Sequence, residues 1–167
     1  MKTRNLTFLL ILSQCFFYGC EQDNQELSLR AKVSSYSSCK DFKSYQPLTE
    51  AGRDISAVTY RYVADSSKMV MRHINAGFNC CPETLSCTVG MAGDTIIIRE
   101  MEEAAGCHCK CLFDLVMEIM DLEAGKYYVK IVEPYCGDQE KLYFSVDLES
   151  SPQGEFCVKR NDYPWGF

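Results

Sequence analysis

Residues 107–119 read Cys107-His108-Cys109-Lys110-Cys111-Leu112-Phe113-Asp114-Leu115-Val116-Met117-Glu118-Ile119. Every second side chain of this run is apolar: Cys107, Cys109, Cys111, Phe113, Leu115, Met117 and Ile119. The side chains between them are mostly polar. Because successive side chains of a strand point to opposite faces of a sheet, this alternation predicts a half-buried antiparallel strand with its three cysteines on the core side.

Similar short segments, separated by turn residues, occupy most of the chain. We predict further strands at 27–33, 57–63, 68–78, 85–89, 94–101, 127–131, 141–148 and 155–160. Residues 34–54 are predicted to form a long loop, and 50–55 a short helical turn. Strands of this length and spacing are typical of sandwiches. The sequence therefore predicts an all-β protein with a single antiparallel β-sandwich domain over residues 28–167.

The segment after the cysteine-rich run has the pattern Leu122-x-x-Gly125-x-Tyr127-x-Val129-x-Ile131. This pattern resembles the tyrosine corner of immunoglobulin-like and fibronectin type III sandwiches. The resemblance implies an immunoglobulin-like (Ig-like) sandwich and carries no information about function.

The start of the chain has the features of an export signal. Lys2 and Arg4 precede an apolar segment at 6–18, which is too short to span a bilayer and ends at Gly19-Cys20. Gly19-Cys20 resembles the end of a bacterial lipobox, in which the cysteine is lipidated after cleavage. The resemblance implies a lipoprotein signal peptide at 1–19, a lipidated Cys20 and an acidic tether at 20–27.

The acidic residues after Cys20 also bear on localisation. The run Glu21-Gln22-Asp23-Asn24-Gln25-Glu26 is similar to the surface-export signals of Bacteroidetes lipoproteins. The resemblance implies a lipid anchor in the outer membrane, with the protein exposed at the cell surface. The alternatives are a protein that faces the periplasm, or one secreted after ordinary signal-peptide cleavage. The cysteine-strand pattern resembles uncharacterised lipoproteins of gut Bacteroidetes, which supply no function.

The charge of the chain limits its partners. The net charge is −6, and it becomes −8 without residues 1–19, which hold two basic and no acidic residues. An acidic protein is a poor partner for nucleic acid or anionic lipid headgroups. We expect membrane contact through the lipid on Cys20, a protein or glycan ligand, and no cofactor. The tail Tyr163-Pro164-Trp165-Gly166-Phe167 either packs back on the sandwich or offers aromatic rings to a glycan or peptide.

The cysteines of the exported chain are the main candidates for chemistry. The sequence has eleven cysteines, and nine of them follow Cys20. One of these nine, Cys39, falls in the predicted long loop. An exported context permits disulfides, and an odd number leaves at least one thiol unbonded. Cysteines two apart on a strand are about 6.6 Å apart, so those at 107, 109 and 111 need partners elsewhere. The connectivity of the disulfides stays open. Cys136 and Cys157 flank the final hairpin and could form a bridge across it. The disulfide candidates are Cys80, Cys81, Cys87, Cys107, Cys109, Cys111, Cys136 and Cys157.

A metal site is the alternative use of the same cysteines. Neighbouring same-face thiolates can converge on one zinc or copper ion. The candidate ligands are Cys80, Cys81, Cys107 and Cys109, with His108. A thiol-redox enzyme is a third and remote class, because the chain has no Cys-x-x-Cys pair.

Other catalytic arrangements find little support. The only histidines are His73 and His108, and His73 is more commonly a satisfied core or surface residue than part of a Cys–His dyad. The chain has no Gly-x-Ser-x-Gly, no His-Glu-x-x-His and no phosphate-binding loop. We therefore predict a non-enzymatic binding or envelope-associated lipoprotein whose ligand is not specified by its sequence.

Overall fold

The computed structural model describes residues 29–40, 54–103 and 107–162. They form nine strands: β1 (Arg30–Tyr36), β2 (Ile55–Val63), β3 (Lys68–Asn79), β4 (Thr84–Ala92), β5 (Thr95–Glu103), β6 (Lys110–Met120), β7 (Lys126–Val132), β8 (Tyr143–Asp147) and β9 (Gln153–Lys159). Within these ranges the only helical element is a 3-10 turn at Ala64–Ser66. Nothing helical there has the length and apolarity needed to cross a membrane. The all-β prediction is confirmed.

Several sequence-based predictions fall on residues outside these ranges. They concern the signal peptide, Cys20, the acidic tether, most of the predicted loop at 34–54, and the aromatic tail at 163–167. The predicted helical turn at 50–55 is wrong at its last residue, because Ile55 begins β2. The predicted loop also starts too early, since β1 continues to Tyr36.

The strands form two sheets. The five-stranded sheet has the order β1-β6-β3-β2-β9, and the four-stranded sheet has the order β4-β5-β7-β8. The prediction of a wholly antiparallel sandwich is wrong at one pair, because β5 and β7 run parallel, with Thr95–Arg99 beside Tyr128–Val132. The chain leaves the four-stranded sheet after β5, runs back as β6 in the other sheet, and returns as β7. Such a crossover places two strands of one sheet in the same direction.

The inward faces of the two sheets share one apolar core. The five-stranded sheet contributes Val58, Met69, Met71, Met117 and Ile119, and the four-stranded sheet contributes Ile96, Ile98, Val129 and Ile131. A smaller apolar cluster contains Ala76, Phe78, Leu85, Cys111, Phe113 and Leu115. In the shared core the strand residues alternate with more exposed neighbours, as the period of two predicts. Around the smaller cluster, residues 75–78 of β3 and 111–115 of β6 are buried on both faces. Burial of these side chains is the main source of stability for the two-sheet structure.

Residues 107–119 were predicted to form one half-buried strand, and the structure differs from this at the start of the run and on its polar face. The strand begins only at Lys110, so Cys107, His108 and Cys109 precede it. From Cys111 onward the predicted apolar row is buried. Asp114, on the opposite face, is also buried, because residues 37–40 continue along β6 and bring Lys40 Nζ to 2.5 Å from its carboxylate.

The predicted tyrosine corner is present as a local structure. The hydroxyl of Tyr127, near the start of β7, donates to the carbonyl oxygen of Glu123 at 3.1 Å. The ring lies against Gly125, where an added Cβ would meet the Tyr127 ring at 3.3 Å. Leu122 is fully buried below this turn. The turn between β6 and β7 is therefore held by the Tyr127 hydrogen bond and by close packing of the Tyr127 ring on Gly125.

Candidate functional site

Three disulfides join the cysteine-rich run to earlier parts of the chain. They are Cys39–Cys111, Cys80–Cys109 and Cys81–Cys107, with Cα atoms 5.6, 5.4 and 6.1 Å apart. The prediction that the three cysteines of the run bond elsewhere, and not to each other, is confirmed. Cys39 was missed as a candidate because a loop position gives no periodic signal. Because Cys80–Cys109 and Cys81–Cys107 are neighbours, we call them the disulfide doublet.

The other three disulfide candidates are wrong. In the part of the chain that the structure describes, Cys87, Cys136 and Cys157 are unbonded thiols. The predicted Cys136–Cys157 bridge does not form, because the two side chains lie in different places. Val158 of β9 faces the core, so its neighbour Cys157 faces outward, whereas Cys136 is buried. Burial, reinforced by Glu100, raises the pKa of Cys87 to about 11. Burial and Glu133 also raise the pKa of Cys136, so both buried thiols stay protonated at neutral pH.

Asn79, the last residue of β3, holds the doublet in place. Its side-chain oxygen accepts the backbone N–H of Cys81 at 3.0 Å, and its amide nitrogen donates to the carbonyl of Cys107 at 2.7 Å. The backbone N–H of Asn79 donates to the Glu102 carboxylate at 2.7 Å. One further backbone bond, from Cys80 N to Cys109 O at 3.0 Å, continues the β3–β6 pairing past the strand ends. The doublet is thus a fixed extension of the two strands.

The structure brings together three of the five residues predicted as metal ligands. The sulfurs of Cys80, Cys107 and Cys109 all lie within 4.8 Å of one another. Cys81, which was predicted as a ligand, is not in this group, and His108 is exposed. All three sulfurs are in disulfides, so they become thiolate ligands only after reduction. Reduced, they would offer a soft sulfur set that suits zinc or copper(I).

A buried chain of hydrogen-bonded polar side chains, which the sequence pattern did not predict, crosses the core between the sheets. Ser56 Oγ lies 2.8 Å from His73 Nε2, and His73 Nδ1 lies 2.6 Å from Glu100 Oε1. Ser56 and His73 come from the five-stranded sheet and Glu100 from the four-stranded sheet. His73 continues the inward row of Met69 and Met71, so a polar residue at a core position was the available signal.

Glu133 and Arg160 complete this buried charge cluster. Arg160 Nη2 donates to both oxygens of the Glu133 carboxylate at 2.7 and 2.8 Å, and its Nη1 lies 3.0 Å from Cys136 Sγ. His73 Nε2 is 3.9 Å from Glu133 Oε1. Burial alone lowers the pKa of His73 and Arg160 adds to this, but the Glu100 and Glu133 carboxylates outweigh both and raise it. With His73 protonated, two cations face two carboxylates and the cluster is neutral.

The order serine, histidine, glutamate matches a hydrolase triad in geometry but has no access to substrate. Ser56 and His73 are fully buried, and Glu100 is only 4% exposed. A nucleophile must reach the reacting atom of its substrate, so this hydroxyl cannot act as one in this structure. The chain of bonds instead satisfies polar groups that the core would otherwise leave unpaired.

A second polar cluster fixes the segment that carries Cys39. Asp114 accepts from Arg72 Nη2 at 2.9 Å and from the backbone N–H of Asn75 at 3.0 Å, in addition to its contact with Lys40. Asn75, which has φ 63° at a bulge in β3, also donates to Ile55 O at 2.7 Å and accepts from Lys40 at 2.8 Å. Asn75 therefore ties together Lys40 and Ile55, which lie close to the two ends of the segment 41–53.

No protein-family model, curated protein or solved structure matches this chain.

Proposed function

We propose that this protein is a non-enzymatic binding or envelope-associated lipoprotein, held in the outer membrane by acyl chains on Cys20 and exposed at the cell surface. The observation that carries the proposal is the set of three disulfides. Such bridges persist in oxidising compartments outside the cytoplasm. Two or three acyl chains would give stable anchoring, whereas one chain is marginal.

The domain assignment belongs to the same proposal. Residues 1–19 are the signal peptide, residues 20–27 the tether, and residues 28–167 a single Ig-like sandwich in the broad sense. The two sheets with a common core and the Tyr127 hydrogen bond support this assignment. The strand order β1-β6-β3-β2-β9 differs from the ABED order of constant-type immunoglobulin domains, so the likeness concerns architecture and not connectivity.

A binding surface is supported on the outer face of the four-stranded sheet. Tyr128 and Tyr143 are 44% and 49% exposed, and their rings stack with centroids 5.6 Å apart. Exposed aromatic side chains are common in binding surfaces because they offer large, rigid contact area. Asp94, Ser145 and Asp147 line a cleft beside Tyr128 and supply hydrogen-bonding groups for a glycan or a protein.

Affinity electrophoresis in gels containing bacterial or host polysaccharides tests this surface. We expect at least one polysaccharide to retard the full chain and the double variant Tyr128→Ala/Tyr143→Ala to lose the retardation. The variant Tyr36→Ala removes an exposed aromatic ring from the five-stranded sheet and should keep the retardation. Equal retardation of Tyr36→Ala and of the double variant would contradict the proposed surface, and absence of retardation by any polysaccharide would argue against a glycan ligand.

Membrane fractionation tests the anchor. Cys20→Ala should move the protein from the membrane to the soluble fraction, because it removes the acylated sulfur. Cys15→Ala is the matched control, since Cys15 lies within the predicted signal peptide, and it should leave the protein in the membrane fraction. Continued membrane association of the Cys20→Ala protein would contradict the lipid anchor.

Metal binding is the second candidate function, and the convergence of three sulfurs within 4.8 Å favours it. The metal would be zinc or copper(I), held by Cys80, Cys107 and Cys109 in the reduced state. Elemental analysis of the purified full chain, together with intact mass before and after alkylation, separates the two candidates. Stoichiometric metal with alkylatable thiols at these positions would favour the metal module. Closed bridges without metal would favour the binding lipoprotein.

A further inference from the structure

We propose that the disulfide doublet is a thiol–disulfide exchange site that takes two electrons from a substrate carrying two thiols. This activity goes beyond the binding function proposed above and does not depend on it. The observations that carry it are the exposure of Cys109, the closeness of the Cys107 sulfur to the neighbouring bridge, and the contrast with the third disulfide, which has no such neighbouring sulfur among the described residues.

The first observation is access. Thiol–disulfide exchange begins with attack by an external thiolate, so the attacked sulfur must be reachable. Cys109 is exposed and precedes β6, whereas Cys80 and Cys107 are half-buried. Cys109 is therefore the residue of this bridge at which we place attack by an incoming thiolate.

The second observation is the position of Cys107. Its sulfur lies within 4.8 Å of both sulfurs of the Cys80–Cys109 bridge, although it belongs to the other bridge. A thiolate released at Cys80 therefore has an acceptor sulfur beside it and can pass the exchange to Cys81–Cys107.

The steps balance as follows. The substrate thiolate attacks Cys109 Sγ, a bond forms between these sulfurs, and the bond to Cys80 breaks. The Cys80 thiolate then attacks Cys107 Sγ, which forms a Cys80–Cys107 bridge and releases the Cys81 thiolate. The second thiol of the substrate attacks its own sulfur in the mixed disulfide and releases Cys109. The substrate is oxidised to a disulfide, its two protons pass to Cys81 and Cys109, and the doublet keeps one bridge.

The third disulfide provides the internal contrast. Cys111 is only 1% exposed, and its sulfur contacts the backbone oxygens of Lys40 and Leu112. Its partner Cys39 is exposed, so an external thiolate can open this bridge too. Among the described residues, however, only the doublet has a third cysteine sulfur within 4.8 Å of both sulfurs of a bridge. The structure thus separates a bridge whose released thiolate has no such acceptor beside it from a pair of bridges that can pass the exchange on.

A single substitution in the full chain tests the closeness of the sulfurs. Cys81→Ser leaves Cys107 without its partner but beside the Cys80–Cys109 bridge. We expect mapping of linked peptides, after acid quench and alkylation, to find both Cys80–Cys109 and Cys80–Cys107 isomers. The matched control is Cys39→Ser, which leaves Cys111 unbonded, and there we expect both bridges of the doublet unchanged. Recovery of only Cys80–Cys109 from folded Cys81→Ser protein would overturn the proposal.

A second measurement uses the unaltered chain and does not depend on the folding of a variant. The protein is incubated with dithiothreitol at a concentration that leaves the fold intact, and thiols are trapped with time. We expect a transient Cys80–Cys107 bridge, with Cys81 and Cys109 alkylated while that bridge persists, and no new bridge formed by Cys39 or Cys111. Reduction of the doublet without the new bridge would contradict the exchange site.

Discussion

His73 of β3 and Glu100 of β5 meet across the interface between the two sheets, with Nδ1 and Oε1 2.6 Å apart. Each residue occupies an inward position of its strand and is buried. The contact is an ionic bond when the imidazole is protonated, and it adds to the Glu133–Arg160 pair beside it. Loss of that proton leaves one uncompensated negative charge in the core, which is costly in a medium of low polarity.

The first prediction is that this cluster makes stability depend on pH. The folded pKa of His73 is raised above its ordinary value of 6.5. The stabilisation is therefore complete below about pH 6.5 and is lost as pH rises through the folded pKa. Urea unfolding between pH 6 and 8 should show a free energy of unfolding that falls with pH. His73→Gln should abolish this slope, and His108→Gln, at the exposed histidine, should keep it. The same slope in His73→Gln would contradict the account.

The second prediction concerns the Glu133–Arg160 pair. Arg160→Leu removes the cation and leaves the Glu133 carboxylate buried, which should cost about 3–5 kcal/mol of unfolding free energy. The double variant Glu133→Leu/Arg160→Leu should cost less than Arg160→Leu alone, because no isolated charge remains. Chemical denaturation of these variants measures both values. A double variant less stable than Arg160→Leu would show that the pair is not the source of the effect.

The third prediction concerns acid sensitivity at Asp114. Burial raises the pKa of Asp114, but Lys40, the Asn75 N–H and Arg72 outweigh it and lower the value. The stabilisation is therefore present above the unfolded pKa, about 3.9, and is lost as pH falls through the lower folded pKa. In urea unfolding at a series of pH values, Asp114→Asn should lower the free energy of unfolding at pH 7. It should also reduce the fall of that free energy between pH 7 and acid pH. Asp65→Asn, at an exposed aspartate, is the control. If Asp114→Asn lost as much unfolding free energy at acid pH as the unaltered protein does, the Asp114 cluster would not be a source of acid sensitivity.

The fourth prediction tests the corner at the start of β7. Tyr127→Phe removes the hydroxyl that donates to Glu123 and should cost about 1 kcal/mol. The neighbouring Tyr128→Phe removes a hydroxyl from an exposed ring and should be close to neutral. Thermal unfolding of the two variants under one set of conditions gives the comparison. Equal losses would mean that the corner hydrogen bond does not stabilise the fold.

The period of two predicted the parts of this fold that local sequence controls. The buried row from Cys111 to Ile119, the inward positions of β2 and β3, and the Tyr127 corner all follow from alternation or from a short pattern. The parallel pairing of β5 with β7 could not be predicted this way, because it depends on which sheet β6 joins. Strand period carries no information about that choice.

The polar core was missed for the same reason. His73 and Glu100 each look like an isolated polar residue at an inward position, and only the stacking of the sheets brings them together. The cysteine pairings likewise depend on the β3–β6 register, which aligns Asn79 with Lys110 and so places the Cys80–Cys81 pair beside Cys109 and Cys107. Spacing showed that the cysteines of the run need outside partners, but it could not name them.

The most direct test of the account is a disulfide map of the full chain, alkylated without reduction and analysed as intact protein and as linked peptides. The account predicts a mass about 6 Da below that of the reduced protein, from three closed bridges. It predicts the linked peptides Cys39–Cys111, Cys80–Cys109 and Cys81–Cys107, with alkylation at Cys87, Cys136 and Cys157 once the protein is unfolded. Alkylation of the cysteines at 80, 81, 107 and 109, or a bridge between Cys136 and Cys157, would contradict it.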